Sequence, residues 1–192
     1  LDFSSLKMTV SGGMALQIAT AKRWTEVTGC PICEGYGMTE TSPIASVNPI
    51  QNIQLGTIGI PAPSTLCKII DDEGRELPLG EVGELCVKGP QVMKGYWKRD
   101  DATREVLDAG GWLRTGDIGI IQENGYIRLV DRKKDMILVS GFNVFPNEIE
   151  DVLAELPQVL QCAAIGVPDE RSGEAIKVFI VLRPGESLTR EE

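Results

Sequence analysis

The sequence predicts three successive parts: an α/β part over residues 1–55, a β-rich and barrel-like part over 56–133, and a small α+β part over 136–192. The order strand, glycine turn and helix near the start predicts the first part. Asp-rich and Gly-rich turns between short apolar runs predict the second, as a small barrel or a curled sheet. A compact charge run, followed by strands on both sides of a helical segment, predicts the third.

The α/β part begins with a strand and a glycine turn. Apolar residues in Lys7–Val10 predict a short buried strand, which Gly12-Gly13 interrupts. The spacing of apolar residues over Met14–Thr28 predicts a helix that ends at the glycine after it. A second strand is predicted near Ile32–Glu34, and it leads into a glycine-flanked loop, Gly35–Gly37.

The β-rich part is predicted from its turns. Strands near Thr65–Ile70 and Gly83–Lys88 are separated by Asp-Gly and Pro-Gly turn sequences. A hairpin is predicted over Asp117–Asp131, with Asn124-Gly125 at its tip. One short helix, near Asp101–Leu107, interrupts these strands.

The α+β part follows the charge run Arg132–Asp135, where we predict a domain boundary. A strand is predicted over Met136–Val139 and a helix over Pro146–Leu156, because proline suits the first turn of a helix. Two further strands are predicted over Val159–Val167 and Ala175–Leu182.

The net charge of −9 limits the kind of partner. The chain of 192 residues carries 19 Lys and Arg against 28 Asp and Glu. This balance excludes a broad basic surface, and with it nucleic-acid binding of the usual electrostatic kind. A local phosphate site remains compatible with the charge, because backbone N–H groups can form one without net positive charge.

Histidine is absent, which excludes the Ser-His-Asp triad, the Cys-His pair and the usual zinc ligands. Five scattered cysteines argue against a disulfide framework and predict a cytoplasmic protein. Cys30 and Cys33 have a redox or metal spacing without further ligands, so we interpret them as small buried residues. The longest apolar run, Val178–Leu182, is far shorter than the roughly 20 residues of a membrane-spanning helix.

The two ends of the sequence read as positions within a longer protein. The chain begins with Leu1 rather than Met, and Thr189–Glu192 has the pattern of a capping box that begins a helix. We therefore expect the sequence to be a fragment.

The segment Glu34–Glu40 is the first candidate site. Gly35 and Gly37 would let the backbone approach a ligand, and Tyr36 between them offers a flat face for a purine. Thr39 supplies a hydroxyl for a phosphate oxygen, and Glu40 supplies a carboxylate suited to Mg²⁺. The alternative is a tight turn with the tyrosine packed in the core.

Four further positions could bind a nucleotide or its partner. Gly12-Gly13 could present N–H groups to a phosphate, and Asp117 could accept hydrogen bonds from a ribose diol. Arg132 could hold a ribose or phosphate oxygen, and the loop containing Gly141 could wall a narrow tunnel for pantetheine. The alternatives are ordinary turns, a solvated charge run and strand-to-helix packing.

The order and spacing of these segments resemble the adenylate-forming superfamily of acyl-CoA synthetases, luciferases and peptide-synthetase adenylation domains. Residues 34–40 resemble its Tyr-Gly-x-Thr-Glu motif, and 83–96 resemble its Gly-Glu-Leu block. Residues 112–117 resemble its Thr-Gly-Asp block, and Asp131-Arg132 resembles the opening of its hinge block. Within the superfamily, residues 111–150 are most similar to bacterial long-chain fatty-acid–CoA ligases, from which Arg114 departs where His is frequent.

The resemblance implies a large AMP-binding domain up to residue 133, a hinge at 134–135 and the first half of a C-terminal domain after it. It implies that a fatty acid carboxylate reacts with ATP to give an acyl-adenylate, and that coenzyme A then takes the acyl group. The alternatives are a ligase for a medium-chain or aryl acid and a non-catalytic module that retains the fold.

The resemblance also implies a role for each candidate residue. The implied catalytic set is Thr39 at phosphate, Glu40 at Mg²⁺ and Lys134 at the hinge. The implied nucleotide and pantetheine contacts are Gly12, Gly13, Gly35, Tyr36, Gly37, Thr39, Asp117, Arg132 and Gly141.

Two family elements are missing from the sequence, a phosphate loop upstream and a catalytic lysine downstream. The isolated chain is therefore expected to form no acyl-adenylate. The resemblance allows a peripheral contact with the inner membrane and a homodimer.

Overall fold

The structure is a computed structural model that describes residues 1–14 and 16–188. It divides into two compact units, Leu1–Leu129 and Val130–Glu192. The capping-box pattern predicted at 189–192 lies outside the described residues.

The described part of the chain consists mainly of β-strands, with three α-helices between them. The strands are β1 (Thr9–Ser11), β2 (Ile32–Gly37), β3 (Ile44–Val47), β4 (Ile60–Pro61), β5 (Leu66–Ile70), β6 (Gly83–Lys88), β7 (Leu113–Ile121), β8 (Ile127–Arg132), β9 (Ile137–Val139), β10 (Phe142–Val144), β11 (Val159–Asp169) and β12 (Gly173–Leu182). The helices are α1 (Ile18–Thr28), α2 (Asp100–Val106) and α3 (Pro146–Ala154), with 3-10 turns at Thr39–Thr41 and Lys133–Asp135.

The first sheet has the order β1-β2-β3-β4. Strands β1 and β2 are parallel, and α1 lies between them in sequence, which confirms the predicted strand, glycine turn and helix. Helix α1 begins later than predicted, at Ile18, and ends at Gly29, whose left-handed backbone lets its N–H bond the Thr25 carbonyl at 2.8 Å.

The loop predicted over Gly35–Gly37 is instead the end of β2. Gly35 and Tyr36 pair with Val47 and Ser46 of the antiparallel strand β3. The prediction was wrong because it considered only the glycines, whereas a partner strand ten residues further on supplies the hydrogen bonds that keep this segment extended.

The second sheet has the order β5-β6-β7-β8 and contains the predicted hairpin of β7 and β8. Apolar side chains from β3 and from this sheet form one buried cluster between the two sheets of the first unit. Its members are Ala45, Ile69, Leu85, Val87 and Ile127. Burial of such side chains is the main stabilising contribution of this unit.

The barrel-like arrangement predicted over 56–133 differs from the structure. Within the described residues, β4 pairs with β3 in the first sheet, while β5–β8 form a separate open sheet, so no barrel closes. Two backbone bonds of 2.8 Å, from Ile58 N to Ile127 O and from Ile127 N to Gly59 O, join the sheets locally. Turn spacing predicted the strands but carried no information about which edge each strand would pair with.

The second unit contains a sheet with the order β10-β9-β12-β11 and one helix, as the predicted α+β pattern requires. Helix α3 has Pro146 in its first turn and lies against β11. Within the described residues, no helix is both long and apolar enough to cross a membrane.

Candidate functional site

The ring of Tyr36 and the carboxylate of Asp117 meet in the first unit. Tyr36 lies on β2 and packs against the buried apolar cluster, so that one part of its side chain is fixed by the core. Its hydroxyl donates a hydrogen bond of 2.5 Å to Asp117 Oδ2, across 81 residues of sequence. Both side chains remain half-buried, so each retains an accessible surface.

A bulge in β7 carries Asp117. Glu84 of β6 pairs with Ile118, and Cys86 pairs with Arg114, so that Leu85 alone stands opposite three residues, 115–117. Such an irregularity turns a strand locally and re-aims its side chains. Here the bulge contains Asp117, whose side chain contacts Tyr36.

Thr115 stabilises this bulge through both functions of its hydroxyl. Its Oγ1 donates to the Leu85 carbonyl at 2.8 Å and accepts from Asp117 N at 3.1 Å. The backbone of Asp117 is thus tied to its own strand and, through Thr115, to β6.

Glu40 lies on the 3-10 turn after β2 and is oriented by Tyr96. The Tyr96 hydroxyl donates to Glu40 Oε1 at 2.7 Å, and Met93 N donates to the Glu40 carbonyl at 2.8 Å. The hydrogen bond to Glu40 raises the pKa of Tyr96, and partial burial adds to the effect. Thr39, next to it, is exposed. The sequence interpretation gave Tyr96 no role, because a tyrosine after glycine carries no signal of its partner.

The single carboxylate of Glu40 fits a cation whose other ligands are mainly substrate phosphates and water. No group of three or more metal-ligating side chains occurs in the part of the chain that the structure describes. Mg²⁺ typically keeps several waters and takes one or two protein carboxylates together with substrate phosphates. Glu40 is chemically suited to be such a single ligand.

Two of the glycines near this site, Gly12 and Gly37, allow backbone segments of the protein to approach each other closely. A Cβ on Gly12 would lie 3.1 Å from the Gly35 carbonyl oxygen, so the ends of β1 and β2 approach closely there. A Cβ on Gly37 would overlap the backbone of Pro43. Gly13 has a positive φ of 86° and open space around it. The interpretation of Gly37 as making room for a ligand therefore competes with a structural requirement of the strand pair.

The other three predicted site residues lie in the second unit. The side chains of Arg132 and Lys134 are exposed, and the Arg132 N–H donates to Asp131 Oδ1 at 2.7 Å. Lys134 belongs to the 3-10 turn at Lys133–Asp135. Gly141, between β9 and β10, has a positive φ of 85°. Their functional roles stay predictions.

Comparison with known families defines the class of protein to which this fold and site belong. Residues 1–97 match the family model described as AMP-binding enzyme, and residues 148–192 match that of the AMP-binding enzyme C-terminal domain. The chain belongs to the AMP-binding enzyme family, which confirms the resemblance inferred from its motifs.

Curated relatives narrow the comparison further. The chain is 56% identical over 192 residues to the long-chain-fatty-acid–CoA ligase of Escherichia coli O6:H1 and 57% identical over 193 residues to that of Haemophilus influenzae. All of the chain is covered in both comparisons, but it spans only 34% of the length of each relative.

Two solved structures of similar fold contain ATP or an acyl-adenylate. ATP-bound MatB from Rhodopseudomonas palustris matches 95% of the chain with a TM-score of 0.91 and 36% identity, the chain covering 36% of that protein. The anthranilate CoA ligase AuaEII, in complex with anthranoyl-AMP, matches 99% of the chain with a TM-score of 0.89 and 35% identity, the chain covering 37% of that protein.

Proposed function

We propose that this chain is part of a long-chain fatty-acid–CoA ligase that works in two steps. In the first, a fatty acid carboxylate oxygen attacks the α-phosphorus of ATP, and the bond to pyrophosphate breaks. In the second, the sulfur of coenzyme A attacks the acyl carbon, the bond to AMP breaks, and the thiol proton passes to solvent. The products are acyl-CoA, AMP and pyrophosphate.

The observation that carries this proposal is the meeting of Tyr36 and Asp117 at 2.5 Å. A flat aromatic face next to a carboxylate suits the two halves of a nucleoside, the base and the ribose diol. The identity of 55–57% to long-chain-fatty-acid–CoA ligases favours a fatty acid over an aryl acid, since AuaEII is only 35% identical.

The chain's own residues bind and orient the nucleotide in this proposal. The Tyr36 ring stacks on adenine, Asp117 accepts hydrogen bonds from the ribose hydroxyls, and Thr39 contacts phosphate. The backbones of Gly12-Gly13 and Gly35 line the same pocket. Such positioning, rather than a histidine base, accounts for the rate, since AMP is already a good leaving group.

Glu40 would hold Mg²⁺, which when bound neutralises charge on the phosphates of ATP. Residues up to 133 then belong to the large domain, 134–135 to the hinge, and 136–192 to the first half of the C-terminal domain. Arg132 would support the ribose, Lys134 would lie at the point of rotation, and Gly141 would meet the pantetheine arm of coenzyme A. Membrane contact, a homodimer and a cytoplasmic location stay predictions.

A chimera tests the proposed function. The matched third of the Escherichia coli relative is replaced by this chain, and oleate-stimulated exchange of ATP with pyrophosphate is measured. We expect exchange in the chimera and none in the isolated chain. A folded chimera without oleate-stimulated exchange, or exchange by the isolated chain, would contradict the proposal.

Removing the hydroxyl of Tyr36 is expected to weaken nucleotide binding while leaving the stacking ring. We expect Tyr36→Phe in the chimera to lower AMP affinity by up to about 10-fold, because Asp117 loses a hydrogen bond that fixes its orientation. Titration calorimetry with AMP measures this. The control is Tyr126→Phe, whose hydroxyl bonds the Asn52 carbonyl and should not affect AMP. Unchanged or tighter AMP binding in Tyr36→Phe would show that the hydroxyl does not orient Asp117.

A further inference from the structure

Glu84 is a buried carboxylate that lies directly beneath the bulge of β7. Glu84 as a whole is only 5% exposed to solvent. Burying a carboxylate is unfavourable unless charged or hydrogen-bonding partners compensate. The partners of Glu84 are therefore informative about why a charge is placed there.

Those partners are the residues around Asp117. Glu84 Oε2 accepts from Arg114 Nη2 at 2.6 Å and from Arg114 Nε at 3.2 Å. Glu84 Oε1 accepts from the backbone N–H of Gly116 at 3.3 Å. One carboxylate thus holds the residue before the bulge and a residue within it, where the strand ladder is interrupted.

Gly116 adopts a left-handed backbone conformation, which glycine tolerates without strain. Its φ is +74°, and the next residue is Asp117. Without the Glu84 acceptor, the Gly116 N–H would lose its bond at 3.3 Å to this strand pair. Both oxygens of a buried carboxylate therefore contact the backbone segment and the side chain that lead into Asp117.

We propose that Glu84, together with Arg114, is a positioning residue that fixes Asp117 for the ribose diol. The proposal rests on the proposed function, since it assumes that Asp117 binds the diol. The Glu84 carboxylate raises the pKa of Arg114 further, so the guanidinium stays charged at any working pH. The contact between Glu84 and Arg114 is therefore expected to be insensitive to pH.

The test compares AMP with 2′,3′-dideoxy-AMP, which lacks the diol but has the same base and phosphate. The ratio of the two affinities, measured by calorimetry in the chimera, reports only the diol contact. We expect Glu84→Gln to lower this ratio about 10-fold while the affinity for dideoxy-AMP stays unchanged. The reason is that Asp117, without its support, is no longer held in the orientation that binds the diol. The control is Glu81→Gln, at an exposed carboxylate three residues away, which should leave the ratio unchanged.

A second variant adds a pH profile that a merely structural role would not give. In Arg114→His, the introduced imidazole is protonated at a pH below its own pKa and can then bond Glu84. The affinity ratio should therefore be near that of the unchanged chimera at pH 6 and fall several-fold by pH 8.5. The unchanged chimera should show a flat ratio. Glu84, Asp72 and Cys86 act electrostatically on Arg114, and Lys68 and Asp108 act in turn on Cys86. Burial raises the pKa of Cys86 to about 11, so this thiol does not titrate in that range.

The outcomes separate this inference from the proposed function. Equal losses of AMP and dideoxy-AMP in Glu84→Gln, or an unchanged ratio, would overturn the positioning role while leaving the ribose contact of Asp117 intact. A ratio near one in the unchanged chimera would instead show that Asp117 binds no diol, and both would fall. If Glu84→Gln does not fold, the pH profile of Arg114→His decides.

Discussion

Replacing Asp117 by alanine is expected to weaken AMP binding by about 100-fold, the largest effect of any single side chain in the nucleotide site. The carboxylate would accept two charge-assisted hydrogen bonds from the ribose, and their loss corresponds to about 3 kcal/mol. Titration calorimetry of the chimera with AMP measures the change. The AMP affinity of Asp117→Asn should lie between those of the unchanged chimera and Asp117→Ala, because the amide keeps one acceptor oxygen but carries no charge.

The control for Asp117→Ala is Glu123→Ala, which removes one exposed negative charge from the turn of the same hairpin. AMP affinity should not change there. A loss of less than about 3-fold in Asp117→Ala, comparable to that control, would show that the carboxylate serves the fold alone.

Adding a methyl group at Gly37 is expected to destabilise the protein severely. The new Cβ would overlap the Pro43 carbonyl group and approach Ile44 Cα, and backbone atoms cannot move aside as a flexible side chain can. We expect Gly37→Ala to lower the free energy of unfolding of the chain by about 3 kcal/mol or more. Urea unfolding followed by circular dichroism measures it, and an unfolded or insoluble variant agrees with the prediction.

Gly35→Ala is the matched control, two residues away on the same strand. There a Cβ would lie 3.4 Å from the nearest atom, the Ser46 carbonyl oxygen, and the change should cost less than about 1 kcal/mol. Equal stability of the two variants would contradict the close packing of β2 against the turn before β3.

Short sequence patterns correctly predicted the turns and helix ends that are determined by neighbouring residues. The glycine after Thr28 and the Asn124-Gly125 turn end their elements through backbone conformation, which a short stretch of sequence determines. The pairing of Tyr36 with Ser46 was missed, because it depends on a partner strand. The same reason explains why the strands form an open sheet rather than a closed barrel, since strand partners are determined by tertiary packing.

In the site, too, residues with a local motif were predicted, whereas residues that depend on distant partners were missed. The motifs identified Tyr36 and Asp117 individually, and only the resemblance to a family brought them together before the structure did. Glu84 was passed over, and Arg114 was regarded as incidental, because an ion pair of residues 30 positions apart has no local signature. Both become interpretable once the bulge between β6 and β7 is known.

A crystal structure of the chimera with AMP would test the ribose and adenine site most directly. We expect the adenine to lie against the ring of Tyr36, with both ribose hydroxyls within hydrogen-bond distance of the Asp117 carboxylate. AMP bound elsewhere, or a ribose that turns its hydroxyls away from Asp117, would contradict a nucleotide site built on these two side chains.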